Sequence, residues 1–253
     1  MEPRVVRIPV AAGEPVVLDY WPPARGSDCA VFVHGLGSHR RGEKALHFAE
    51  RFTALGWGFL TLDLRGHGES GGTMRDLTLS RCLADLAAAL AWLPAPARLL
   101  IGSSMGGAVA AWHGLLHPRP GAAAVLIAPA LAFPMTLAAS LRPAEREAWR
   151  RDGVRRFASA WLDLEIGHGL IEDGQRYDPA RLLREYAVPS LILHGMRDDA
   201  VPWRASVDFV EGSPCPDLHL LLLKNGDHRL TEEKALLFDA MRVWLAARGT
   251  ALG

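Results

Sequence analysis

The stretch Leu99-Leu100-Ile101-Gly102-Ser103-Ser104-Met105-Gly106-Gly107 constrains the fold of this chain more than any other. An apolar run of strand type ends at Gly102, a serine stands at the centre of G-x-S-x-G, and Gly107 opens an Ala/Val-rich segment of helical character, Ala108 to Leu116. The order is strand, sharp turn, helix. A serine driven into so tight a turn needs small residues two before and two after it, because strand and helix must pass closely. Gly102 and Gly106 supply that room. The turn pushes the Ser104 hydroxyl clear of the backbone and aims the Met105 N–H, at the helix N-terminus, at the space where an oxyanion would form. Ser104 is therefore the candidate nucleophile, with Ser103 a supporting neighbour.

The rest of the chain reads as strands alternating with helices. Val5 to Val10 and Val16 to Tyr20 are two strands of an antiparallel hairpin with Gly13 in its turn. Ala30 to Val33, Gly58 to Leu62, Ala122 to Ile127, Ser190 to Leu193 and Leu218 to Leu223 are short apolar runs of the kind buried in parallel sheets. Helical spacing marks Gly42 to Leu55, Ser80 to Leu93 with Ser80 as N-cap, Arg204 to Val210, and Thr231 to Ala247. Such alternation argues a mostly parallel, doubly wound α/β sheet with an antiparallel N-terminal edge. In such sheets, sites lie beyond the carboxyl ends of the strands.

One connection is too long. Ala130 to Pro189 spans 60 residues, where a plain crossover needs about 25. The expectation is a single domain over 1–253 with a small cap insertion at about 133–180. Arg142 to Asp152 and Asp178 to Tyr186 read as helices in this region, and Val154 to Asp173 fits either strands or short helices. Its charges balance, so they read as a solvated surface. Its apolar residues Trp149, Phe157, Trp161 and Leu162 are the candidates for lining a substrate pocket.

A serine alone is a weak nucleophile and needs a histidine with an acid to orient it, each at a strand end on the same rim. The strand Ser190 to Leu193 runs into His194-Gly195-Met196-Arg197-Asp198-Asp199-Ala200-Val201-Pro202, and the last strand into Lys224-Asn225-Gly226-Asp227-His228-Arg229. Ser104, Asp198 and His228 thus follow the order nucleophile, acid, base.

Composition narrows the partners. Twenty-eight Lys and Arg balance 28 Asp and Glu, which leaves no electrostatic footprint for nucleic acid or an anionic membrane surface. The uncharged stretch between Arg119 and Arg142 has the length of a membrane span, but Pro120, Pro129 and Pro134 interrupt it, so no span is expected. Three scattered cysteines and an N-terminus without an apolar core lead to the expectation of a cytoplasmic protein with structural cysteines. His113 and His117 are spaced i, i+4 but lack the H-E-x-x-H pattern, and no metal or other cofactor is expected. Gly66 to Gly71 matches G-x-G-x-x-G, but the helix is delayed to Ser80 and no acid follows the next strand, against a dinucleotide site. His34 and His194 read as structural turn residues, Asp63 and Arg65 as loop braces, and Ser70 as a turn residue. Arg40 and Arg41 read as surface residues, with recognition of a substrate carboxylate as the alternative.

Taken together, these motifs resemble the α/β-hydrolase fold family over nearly the whole chain. H-G-x-x-D-x-x-V-P falls on His194, Gly195, Asp198, Val201 and Pro202, so the resemblance selects Asp198 over Asp199; G-D-H selects His228. His34-Gly35-Leu36-Gly37 is similar to the family's oxyanion loop, which implies the Leu36 N–H as a second donor beside that of Met105. G-S-x-x-x-G-x-K-A at 37–45, G-S-S-M-G-G, H-G-M-R-D-D-x-V-P-W and D-H-R-L are similar to the branch of mitochondrial acyl-protein thioesterases and acyl-glucuronide esterases and its bacterial relatives. The resemblance implies a serine hydrolase that cleaves small carboxylic esters or thioesters through an acyl-enzyme. Aromatic (feruloyl-type) esterase, C–C hydrolase, peptidase and perhydrolase activities use the same triad, and a non-catalytic ligand-binding protein on this fold is the remaining alternative.

Overall fold

The computed structural model describes residues 2–10, 13–24, 28–94, 97–158 and 162–250. Arg4–Pro9 (β1) and Pro15–Trp21 (β2) pair antiparallel, followed by Cys29–Val33 (β3), Glu43–Ala54 (α1) and Gly58–Asp63 (β4). A 3-10 turn, Met74–Asp76, precedes Leu79–Trp92 (α2), Ala97–Ser103 (β5), Met105–Leu116 (α3) and Ala123–Ile127 (β6). Next come Met135–Ala139 (α4), Pro143–Asp152 (α5), Val154–Ala158 (β7), Asp163–Gly167 (β8), Gly169–Gly174 (α6) and Pro179–Glu185 (α7). Ser190–Gly195 (β9), Arg204–Gly212 (α8), Leu218–Leu223 (β10) and Lys234–Ala247 (α9) complete the chain.

Eight strands form one sheet in the order β1-β2-β4-β3-β5-β6-β9-β10. From β4 to β10 all neighbours are parallel, and β2 joins β4 antiparallel. The fold is thus an α/β sheet, mostly parallel, with an antiparallel N-terminal edge. Because side chains alternate across a strand, each apolar run feeds two cores. Ala30, Phe32, Leu99, Ile101, Leu191 and Leu193 pack with Phe48 and Phe52 of α1 and Met241 and Leu245 of α9. Val31, Val33, Leu100, Leu126 and Ile192 pack on the other face with α2, α3, Leu182 of α7 and Phe209 of α8. Each fully buried Leu or Phe contributes roughly 1.5–3 kcal/mol. Both faces being covered, the central strands are apolar throughout.

Local chemistry moves some boundaries. The N-cap of helix α2 lies two residues earlier than expected: Thr78 is the cap and accepts from the Arg81 N–H. Ser80 instead donates to Asp173 and meets the Tyr177 hydroxyl at 2.7 Å, tying α2 to α6. Helix α3 starts at Met105, directly on the Ser104 turn, and α9 starts only at Lys234.

Residues 154–173 form an antiparallel hairpin, β7–β8, and the short helix α6. Phe157 lies opposite Leu164 and Arg155 opposite Ile166. Trp149 of α5 is buried against Phe157, and its indole N–H donates to the Ile166 carbonyl at 2.9 Å. This corrects the expectation that Trp149 lines a pocket: it is the apolar centre of this segment. Trp161 lies outside the described residues.

Candidate active site

The site is built from the ends of five parallel strands. At the end of β5 the chain turns at Ser104, which has φ 54° and ψ −118°, a conformation that L residues adopt only when the surroundings impose it. What imposes it is close approach. A Cβ on Gly102 would lie 2.3 Å from the Gly106 carbonyl oxygen, and one on Gly106 would lie 2.2 Å from that of Val33. The Ser104 N–H donates to the Ile127 carbonyl at the end of β6.

Asp198 follows β9 and His228 follows β10. His228 Nδ1 lies 2.7 Å from Asp198 Oδ2, and His228 Nε2 lies 3.0 Å from Ser104 Oγ. With an ionised carboxylate on Nδ1, the proton sits there and Nε2 is left to accept from the serine hydroxyl. The Asp198 side chain is buried. Burial alone would raise its pKa, but hydrogen bonds from His194, His228 and the Val201 N–H outweigh it and hold the carboxyl well below the usual range. Its Oδ1 accepts from the N–H groups of Ala200 and Val201 at 2.9 and 2.7 Å. Asp199 is exposed.

The turn after β3 lies against the serine. The Cβ position of Gly35 is 3.1 Å from Ser104 Cβ and 3.7 Å from its hydroxyl oxygen. Among the described residues, no backbone acceptor takes up the N–H of Leu36 or of Met105. His34 is buried, accepts from the Leu64 N–H on Nε2 and donates from Nδ1 to the Gly35 carbonyl. Burial, then the neighbouring His67, pushes its pKa down to about 3, so it stays a neutral brace.

Arg40 overturns both readings made of it. It is 3% exposed and is enclosed by Asp19, Asp63 and Glu69, with which it forms ion pairs. Arg41 pairs with the other oxygen of Asp19 at 2.6 Å. The glycine-rich turn wraps around this network: the Asp63 carboxylate accepts from the backbone of Arg40 and Glu69, and Ser70 donates to the Asp63 carbonyl. Arg65 is bound by Asp85, both buried. These residues hold the turns behind the site.

Two further residues hold the site from behind. Lys44, half-buried on α1, donates to the carbonyl of Arg229, next to His228. Burial first, and Arg229 second, lower its pKa to about 8. His194 is buried on β9, four residues before Asp198, and reaches its carboxylate. The H-G-x-x-D spacing carried that signal.

Leu162, half-buried, immediately precedes β8, and its Cδ1 lies 2.6 Å from the Cβ position of Gly37; Leu164 Cδ1 lies at 3.3 Å. The apolar edge of the hairpin therefore covers the Leu36 turn. The rings of His113 and His117 lie 4.9 Å apart, tilted by 42°, at the C-terminal end of α3, and among the described residues no group of three or more His, Cys, Asp or Glu could hold a metal ion.

The family model described as serine aminopeptidase, S33, matches residues 27–161, just over half the chain. The chain belongs to this family. The S33 chain is 27% identical over 206 residues to the mitochondrial palmitoyl-protein thioesterase ABHD10 of Bos taurus, covering 80% of this chain and 67% of that protein. It is 30% identical over 271 aligned positions to the monoacylglycerol lipase of Mycolicibacterium smegmatis, covering 93% and 94%. The solved α/β-hydrolase domain-containing protein 10 from mouse superimposes with a TM-score of 0.84 at 23% identity, covering 96% and 99% of the two chains. The fold is that of an α/β hydrolase. Among the described residues of the S33 chain no helix is long and apolar enough to cross a membrane.

Proposed function

We propose that this serine hydrolase cleaves carboxylic esters or thioesters with Ser104, His228 and Asp198 as its triad. The observation that carries the reading is the continuous hydrogen-bonded chain from Ser104 Oγ through His228 to Asp198, with the serine in a strained turn at the rim of the sheet. Ser104 Oγ attacks the acyl carbon as His228 Nε2 takes its proton, while the N–H groups of Leu36 and Met105 receive the oxyanion. His228 then protonates the departing alcohol or thiol. Water, deprotonated by the same imidazole, attacks the acyl-enzyme and releases the acid and Ser104. Asp198 holds the imidazole in the productive tautomer and stabilises its charged form. No step needs a cofactor.

The hairpin and its flanking helices act as a small cap, with Leu162, Leu164 and Phe157 offering apolar surface to the acyl group. The 80% coverage by a thioesterase and the 93% coverage by a monoacylglycerol lipase support a substrate with an acyl chain. A series of p-nitrophenyl esters and matching acyl thioesters from acetyl to decanoyl tests this. Each methylene buried contributes roughly 0.8 kcal/mol, so kcat/KM rises about three- to fourfold per CH₂ until the pocket is filled. A flat series, with turnover instead of feruloyl esters, peptides, C–C bonds or peracids in the same panel, would replace the acyl reading. Ser104→Ala lowers kcat by roughly 10⁴-fold or more and abolishes fluorophosphonate labelling, whereas Ser103→Ala keeps both.

A further inference from the structure

The acid of the triad is held by a second histidine. His194 is fully buried, its Nε2 lies 3.0 Å from Asp198 Oδ2 and 3.1 Å from the Val201 carbonyl, and its Nδ1 lies 2.8 Å from Ser206 Oγ. Both partners of Nε2 are acceptors, so that nitrogen carries the proton, and the Ser206 hydroxyl donates to Nδ1. Asp198 Oδ2 is thus shared by two N–H donors, from His194 and His228, while its Oδ1 takes the two backbone amides.

We propose that His194, with Ser206 behind it, is a positioning residue that tunes the basicity of Asp198 and through it the proton affinity of His228. The proposal rests on the triad reading above. A buried histidine that merely packed the β9 turn would need only the Val201 carbonyl. Its contact with the same oxygen that faces His228 gives it leverage on the chemistry instead. Each N–H on that oxygen draws charge from it. Removing the His194 donor leaves Oδ2 more basic, so it attracts the His228 imidazolium more strongly and favours the charged form of the base. The titratable groups that reach Asp198 are His194 and His228, one from β9 and one from the loop after β10; Arg197 and Asp199 flank it and are exposed, and Asp227 and Arg229 flank His228. Ser206 comes from α8.

The test compares His194→Phe, which keeps a ring but loses the donor, with His194→Gln, whose amide restores an N–H at the same reach. In His194→Phe the acidic limb of kcat/KM for a p-nitrophenyl ester moves up by about 0.5–1 pH unit and kcat falls by about tenfold, with KM within about twofold. His194→Gln returns the limb toward its original place. An acidic limb that stays put in folded His194→Phe overturns the proposal. Should that variant not fold, ¹⁵N-histidine NMR decides: an Nε2–H tautomer of His194 whose ring ¹⁵N resonances shift in Asp198→Asn supports the proposal, and the Nδ1–H tautomer, or resonances that do not shift, overturns it. Loss of the triad reading would show separately, as activity surviving in Ser104→Ala.

Discussion

At the scale of single residues, two adjacent aspartates separate sharply. Asp198 is enclosed by two histidines and two amides, whereas Asp199 is exposed with no shared partner in that network. Asp198→Asn removes the acceptor that sets the His228 tautomer, and kcat falls by about 10³- to 10⁴-fold, while Asp199→Asn stays within about threefold. Steady-state kinetics of both variants check this, and the reverse ranking would move the acid one residue on. The resemblance to the H-G-x-x-D-x-x-V-P pattern pointed to Asp198, and in the structure its Oδ1 accepts from the N–H groups two and three residues ahead. Arg40 shows the opposite case. An arginine in a loop reads as solvated, because removing a guanidinium from water is costly; here three carboxylates from β2, β4 and the glycine-rich turn offset that cost. None of the three lies within 20 residues of it in the chain.

At the scale of elements, the β7–β8 hairpin sets where the apolar side chains around it lie. Trp149 is buried behind it and Leu162 lies over the Leu36 turn. Trp149→Phe loses the hydrogen bond to Ile166 and part of the indole volume, so the protein loses about 1–2 kcal/mol of stability while its acyl-length preference stays unchanged. Leu162→Ala does the converse: the optimum of the acyl series shifts toward longer or bulkier chains, and the urea midpoint barely moves. Midpoints and the ester series together check the pair, and an acyl shift confined to Trp149→Phe would restore the tryptophan to the pocket wall. Aromatic residues in an insertion are compatible with both places. What places the tryptophan in the core is its ring contact with Phe157 and its hydrogen bond to the Ile166 carbonyl.

At the scale of the whole molecule, buried neutral histidines make stability depend on pH. Burial pushes His34 down to about 3 and, with His117 and Arg119 adding to it, His113 to about 4, from an ordinary 6.5. Between those values and 6.5 the unfolded chain binds more protons than the folded one, so stability falls as pH drops through this window. Each group contributes up to about 1.4 kcal/mol per pH unit there. Depressed Asp198 acts in the same direction at still lower pH. The urea midpoint is therefore lower at pH 5 than at pH 7.5, and His113→Leu flattens the dependence; an equal midpoint at both pH values would refute it. By itself the sequence determined the strand–turn–helix around Ser104, the eight strands, and the chain order of serine, acid and histidine. These depend on side-chain alternation and on small residues at fixed offsets, which act within a few positions. Tertiary structure alone decided that Arg40 is buried, that Trp149 is core and that Leu162 covers the Leu36 turn. Those outcomes depend on desolvation and pairing among groups far apart in the chain, and composition carries no record of which partners the fold brings together.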